Sequence, residues 1–324
     1  MAGSLRLGAA VACAIIGALA AISPLRAQDY PNKPVKIVVG FIPGSAADIT
    51  ARVLGGQMSK SLGQQVVVEN RSGAGSATAA ESVSHAAPDG YTLFLGSSAN
   101  VASNVLNAKM TDIRKELTPI ALATTVPVIL VVPPSTGVNS VAELIALAKS
   151  KPDAISYAST GIGTAPHLAG ELFAQRAGVK LLHVPYQGSP QAVTDLLAGR
   201  TNMMFSPASA VLGNVEAGTL KALATAANKR AAVAPNIPTM AEAGMPDFDT
   251  SIWFGLMAPN GTSRDIVVKL EKAVKEAQAS SEVLAILKKN GFDAISGGPD
   301  EFAKLMQNES KRWTDVAAAA GLKK

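Results

Sequence analysis

The stretch "VKIVVGFIPGSAAD", residues 35–48, decides how the whole chain is read. Its first half, Val35 to Phe41, is apolar and β-branched, which is the composition of a strand buried on both faces. Its second half has almost no side chain to offer: Pro43, Gly44, Ser45, Ala46 and Ala47 lead directly into a helical apolar spacing that stops at Gly63. The pattern then continues in the same style. "QQVVVEN" reads as a second strand, "RSGAGSATAAESVSHAAPDG" as a turn, a helix and a breaker, and "YTLFLGSS" as a third strand. The order β-α-β-α-β predicts parallel strands covered by helices.

Further along, the alternation repeats with different residues. "PVILVVPP", "ISYAST", "VKLLHVPY", "TNMMFSP" and "LKALATAA" are strands, separated by the helices "SVAELIALAKSKP", "PHLAGELFAQRAG", "PQAVTDLLAG" and "SAVLGNVEAG". The last third, from "SIWFGLMAPNG" through two amphipathic helices, returns to the first style. Two α/β lobes, the second inserted into the first, fit this order. The expected bounds are residues 28–122 with 228–324 for lobe 1 and 123–227 for lobe 2. Crossings are expected at residues 121–131 and 220–227, where strands shared between lobes make a hinge and therefore a cleft.

Composition narrows the function. The 324 residues are 48% hydrophobic and 16% charged, a globular balance with material for a large core. The net charge of +5 comes from scattered Lys and Arg, and aromatics are 4%, so neither a basic stripe nor stacking platforms argue for nucleic acid. Residues 1–27 have the layout of a cleavable signal peptide: Arg6, an uninterrupted apolar run from Gly8 to Ile22, and Ala27 before the cut. That run is too short for a membrane span, which needs roughly 20 residues. Cys13, the sole cysteine, lies within it, so the mature chain would have no thiol for a disulfide or a metal. An exported, cysteine-free chain points to the bacterial periplasm.

Three loops resemble one another in design. In the opening loop, Ser45 and Asp48 form S-x-x-D, so Ser45 reads as an N-cap and Asp48 as the reciprocal capping carboxylate. The same loop leaves the carboxyl end of a strand, where free first-turn N–H groups welcome an anion. Both readings stand. "STGIGTAPH", residues 159–167, and "PYQGSPQA", residues 185–192, also follow strands and open helices. None of the three contains Lys or Arg, so an anion held among them would be bound by amides and hydroxyls.

Competing chemistries fail on their own motifs. "SGAGSATAAE", residues 72–81, reads G-x-G-x-x-T and lacks both the third small residue and the later acid of a dinucleotide site. There is no G-x-S-x-G elbow for a serine hydrolase. His85, His167 and His183 are too far apart in sequence to suggest a metal, and no cofactor is expected. His85 ends a helix, where a cation suits the dipole. His183 reads as packed in a strand, and Trp253 as core. His167 stands equally as a ligand contact or as a partner for its own loop. No nucleophile–base pair emerges, and the chain is not expected to be an enzyme.

The blocks "YPNKPVKIVVGFIPGSAAD", "AAPDGYTLFLGSSAN", "LTPIALATTVPVILVV", "YASTGIGTAPHLAGELF", "HVPYQGSPQAVTDLLAGR" and "IPTMAEAGMPDFDTSIWFGLMAPNGTS" carry a family resemblance over essentially the whole mature chain. The chain resembles the extracytoplasmic solute receptors of tripartite tricarboxylate transporters, the Bug family. That resemblance implies a type II periplasmic binding fold, with two lobes joined by two crossing strands and a ligand cleft between them. It implies a small carboxylate ligand, membrane transporter subunits as partners, and a monomer. Carried over to this sequence, the ligand contacts are Pro43, Gly44, Ser45, Ala46, Ala47 and Asp48 in the first loop. Ser159, Thr160, Gly163, Thr164 and His167, with Tyr186, Gln187 and Gly188, would supply the second lobe. Ser97, Ser98 and Ser206 would be rim contacts. The family's first loop commonly reads P-P-G-G, whereas this one reads Ile42-Pro43-Gly44-Ser45, restoring a Cβ and adding a hydroxyl at Ser45. A ligand sensor feeding a signalling partner, or an enzyme on the same fold, are the alternatives.

Overall fold

The computed structural model describes residues 30–186, 188–227, 229–319 and 321. The expected signal segment, residues 1–27, and Gln187 lie outside the described residues.

The chain builds two sheets. Its first part runs β1 (Val35–Val39), α1 (Ala46–Leu62), β2 (Val66–Asn70), α2 (Ala77–Ser84), β3 (Thr92–Ser97), α3 (Ser98–Leu106), α4 (Ile113–Glu116) and β4 (Leu117–Val126). The middle part runs β5 (Val128–Val132), α5 (Val141–Ser150), β6 (Ser156–Ser159), α6 (Ala165–Ala177), β7 (Leu182–Pro185), α7 (Ser189–Leu197), β8 (Met203–Pro207), α8 (Ala208–Glu216) and β9 (Lys221–Thr225). The last part is β10 (Ile252–Pro259), α9 (Arg264–Ala279), α10 (Ser281–Lys289), β11 (Asp293–Ala294) and α11 (Pro299–Ala319). The six-stranded sheet has the order β11-β4-β10-β3-β1-β2, and the five-stranded sheet the order β7-β6-β8-β5-β9.

The expected parallel pairing holds for β1 with β2 and β3, and for β6 with β7 and β8. Strands next to the passages between sheets are antiparallel: β10 against β3 and β4, and β5 against β8 and β9. The expected shared strands resolve into strands of one sheet each. Pro127 separates β4 in the first sheet from β5 in the second, because a proline brings no N–H to a ladder. On the return, β9 pairs within the second sheet, and residues 226–251 carry the chain back to β10.

Burial follows the strand periodicity. Val35, Ile37 and Val39 pack on one face of the first sheet with Ala51, Leu54 and Met58 of α1. Val38, Phe94 and Met257 pack on the other face with Val83 of α2 and Phe302 and Met306 of α11. The same helix α11 continues into the second sheet's core, where Trp313 and Val316 join Leu168, Leu172 and Phe173 of α6. Between these halves lies Glu309, only 3% exposed, accepting hydrogen bonds from the indoles of Trp253 and Trp313. Burial pushes its carboxyl up to about 7, with Arg312 and the two indoles pulling the other way. Trp253 is therefore a core residue, as its sequence context indicates.

Two glycines test this packing. A Cβ at Gly255 of β10 would lie 2.4 Å from the Phe302 ring, so Gly255→Ala must displace that ring from its packing place. Urea unfolding should show a loss of about 1–3 kcal/mol. Gly56, exposed in the middle of α1 with nothing within 4 Å of an added Cβ, should behave oppositely. Gly56→Ala is expected to stabilise by roughly 0.5–1 kcal/mol.

Candidate functional site: an inter-lobe cavity at three helix N-termini

The opening loop turns tightly. Ser45 N–H donates to the Ile42 carbonyl at 3.2 Å, and Gly44 takes φ +79°, a left-handed conformation that suits glycine. Ser45 follows at φ −70°, ordinary for any residue, so a serine stands here without strain. As expected, its hydroxyl accepts from Asp48 N–H, at 3.3 Å. The reciprocal cap differs by one residue. Asp48 accepts from Gly44 N–H, at 2.9 Å, because the Ser45 amide is already used in the turn.

Asp48 is wholly engaged. Besides Gly44, it accepts from Arg52 at 3.0 Å and from Asn70 at 2.9 Å, and Asn70 also donates to the Phe41 carbonyl. Burial pushes its carboxyl up, but Arg52, Gly44 and Asn70 together hold it below the usual carboxylate range.

The second lobe repeats this construction with different chemistry. Gly163 takes φ +81°, Thr164 precedes α6, and His167 Nδ1 accepts from Gly163 N–H at 3.0 Å. In both loops the third residue of the helix reaches back four positions to the amide of a positive-φ glycine. His167 stacks on His183 at 4.2 Å between centroids, and His183 stacks on Tyr157 at 4.8 Å. His183 Nε2 lies 2.7 Å from Ser159 Oγ, which also accepts from Gly161 N–H. Tyr157 donates its hydroxyl to Glu171. Of the two readings left open for His167, the structure has it bonding its own loop.

Between the lobes lies a cavity of about 150 Å³ lined by Phe41, Ser45, Ala46, Ala47, Ser97, Ser98, Ala99, Thr160, Thr164, Ala165, Pro166, Ile252 and Phe254. Among the residues expected at the site, it brings together Ser45, Ala46, Ala47, Ser97, Ser98, Thr160 and Thr164. Pro43 and Gly44 are exposed outside it. Asp48, Ser159, Gly163 and His167 are not among its lining residues: Asp48, Gly163 and His167 are bonded within their loops, and Ser159 to Gly161 and His183. Ser206 is buried in β8, with its hydroxyl on the Pro207 carbonyl. Tyr186 and Gly188 do not line it either; Tyr186 donates to Asp195 beside a separate open groove with Pro190 and Thr194.

The third helix start at the cavity is thus that of α3, at Ser97 and Ser98, and not that of α7. First-turn amides have no acceptor within their own helix. At this cavity those of Ala46 and Ala47 (α1), Ser98 and Ala99 (α3) and Ala165 (α6) are in that position. Ser98 adds a hydroxyl that is 2% exposed and has no hydrogen-bond partner. Neighbouring hydroxyls are engaged: Ser97 bonds Asn100 at 3.1 Å, and Thr164 donates to the Gly161 carbonyl at 2.7 Å. The cavity lining contains no Lys, Arg, Asp or Glu.

Sequence reasoning missed Phe41, Ala99, Ala165, Pro166, Ile252 and Phe254. Phe41, Ala165 and Pro166 lie inside stretches that it singled out, and Ala99 adjoins one. Ile252 and Phe254 arrive only through β10, whose Phe254 pairs with Ser97 of β3. Larger grooves of about 500 and 830 Å³ flank the α6–α11 seam, but exposed charged side chains such as Lys180 and Lys311 line them, and no helix start opens into them.

Burial pushes both His167 and His183 down to about 4, the neighbouring imidazole adding to the effect at His183. The folded protein therefore keeps them neutral while the unfolded chain takes up protons below 6.5, and they cost stability as pH falls from 6.5 to 4. Glu309 and Asp293, whose carboxyls burial raises, act in the opposite sense, so the readout is a difference. In His167→Asn the amide oxygen can still accept from Gly163, and the variant should gain stability relative to wild type as pH falls through that window. Parallel unfolding curves at every pH would contradict this.

The sequence profile of the tripartite tricarboxylate transporter family receptor matches residues 50–322. The protein BugT of Bordetella pertussis is 36% identical over 304 residues, covering 93% of each chain. Two solved structures are similarly near. Rpa4515 of R. palustris with adipate is 34% identical with a TM-score of 0.80, covering 90% of this chain and 99% of its own. MatC of Rhodopseudomonas palustris with bound malate is 34% identical with a TM-score of 0.76, covering 89% and 99%. A profile match across both sheets, relatives of similar length, and a cavity between two lobes at helix N-termini all agree: the chain belongs to the tripartite tricarboxylate transporter receptor family, with the type II periplasmic binding fold.

Proposed function

We propose that this protein is a non-catalytic periplasmic receptor that captures a small carboxylate between its lobes and, as a monomer, delivers it to the membrane subunits of a tripartite tricarboxylate-type transporter. The lobes follow the two sheets, with the first crossing at Pro127. One observation carries the reading: the buried, unpartnered Ser98 hydroxyl in a cavity lined by the first-turn residues of three helices. A buried polar group without a partner costs stability in the empty protein, and an anion supplies the missing acceptor. The adipate and malate held by two relatives support a carboxylate, and residues 1–27 support export. No helix among the described residues is long and apolar enough to cross a membrane.

In this reading Ser45, Ala46, Ala47, Ser97, Ser98, Thr160 and Thr164 contact the ligand. Asp48, Ser159, Gly163 and His167 hold the two loops in shape.

Thermal unfolding with mono-, di- and tricarboxylates tests it. A true ligand at about 100 times its Kd should stabilise by about 2.7 kcal/mol. Ser98→Ala should weaken that ligand by roughly 1.5–3 kcal/mol, the worth of a hydrogen bond to a charged group, while leaving the empty protein as stable as before or more so. Silence across the whole panel, or a Ser98→Ala protein that loses stability but not affinity, would overturn the proposal.

A further inference from the structure

The cavity wall specifies more than an anion. Its volume of about 150 Å³ matches that of an engineered cavity that takes up one benzene, so the enclosed part of a ligand is about one six-carbon body. Most of that wall is hydrocarbon: Phe41, Ala99, Pro166, Ile252 and Phe254 join the alanines of the α1 and α6 starts. The polar groups are concentrated at the helix starts. There lie five first-turn amides that have no acceptor in their own helices, the unpartnered Ser98 hydroxyl and the Thr160 side chain. Ser45 and Thr164 spend acceptor or donor capacity on their own loops.

Two consequences follow. An ammonium group on the ligand would meet no carboxylate, because Asp48, the acid nearest in sequence, is saturated by Arg52, Asn70 and Gly44 and does not line the cavity. A hydroxyl on the ligand body, beyond the helix starts, would face Phe41, Pro166, Ile252 and Phe254, which offer it no partner.

We infer that the ligand class of this site is a compact carboxylate with an unsubstituted hydrocarbon body, bearing neither hydroxyl nor amino groups. This rests on the carboxylate-receptor reading above. Selectivity then comes from the apolar wall, and affinity from the helix starts. The wall discriminates by leaving a polar substituent without a partner, and a space of about 150 Å³ is small for a branched tricarboxylate.

Isothermal titration of the full mature chain with two matched series tests this. One series is succinate, malate and aspartate, which share a carbon skeleton; the other is benzoate and 3-hydroxybenzoate, with citrate as the oversized acid. In whichever series binds, the unsubstituted acid should be at least about ten-fold tighter than its hydroxylated partner, the cost of an unpaired buried hydroxyl, and aspartate should be weaker still. Ala99→Ser, which adds a hydroxyl to the wall, should narrow the ratio by improving the hydroxylated acid. Equal or tighter binding of the substituted acids, or binding of citrate alone, overturns this inference and leaves the receptor reading intact. If a broad carboxylate panel gives no binding at all, the receptor reading itself falls.

Discussion

The first-turn amides of α1, α3 and α6 have no acceptor inside their own helices, and the site depends on that shortage. A strand followed directly by a helix delivers the helix N-terminus to the carboxyl edge of its sheet. When two such sheets face each other, those ends converge on one space. Each end behaves like about half a positive charge. Because no Lys or Arg lines the cavity, these partial charges are its sole positive source among the described residues. An anion can therefore be taken up without desolvating a cation, and a small cavity can remain mostly hydrocarbon.

Such a site works only if the loops hold still. Both lobes meet this need in the same way, with a first-turn side chain that reaches back to the amide of a positive-φ glycine. In the first lobe the side chain is Asp48 on Gly44, and in the second His167 on Gly163. Asp48 can carry charge because Arg52 and Asn70 bond it. His167 has no such cation and is held neutral by burial within the stack formed with His183 and Tyr157. Both side chains are bonded within their own loops, in front of which the first-turn residues line the cavity.

Helix α11 ties the two cores together. Phe302 and Met306 pack under the first sheet, Trp313 and Val316 under the second, and Glu309 binds an indole from each side of that division. One helix is thus packed into both cores, beside the crossing at Pro127.

Much of this was legible in the sequence because it is local. The βαβ order follows from apolar runs and breakers, and the cap at Ser45 follows from residue type and spacing. The donor-rich loops follow from what is missing in them. Contacts between distant segments were not legible. Residues 185–192 have the same local design as the other two loops, yet α3 supplies the third helix end, because the sheet order decides which helices face the cleft. Phe254 enters the wall through the pairing of β10 with β3, across more than 150 residues of chain, and Ile252 through the pairing of β10 with β4. Whether Asp48 and His167 faced a ligand or their own loops turned on which partners reached them first, namely Gly44, Asn70 and Gly163. Local propensity thus determined where free amides arise, and tertiary packing decided which of them share one cavity, since only packing brings remote segments within hydrogen-bonding distance.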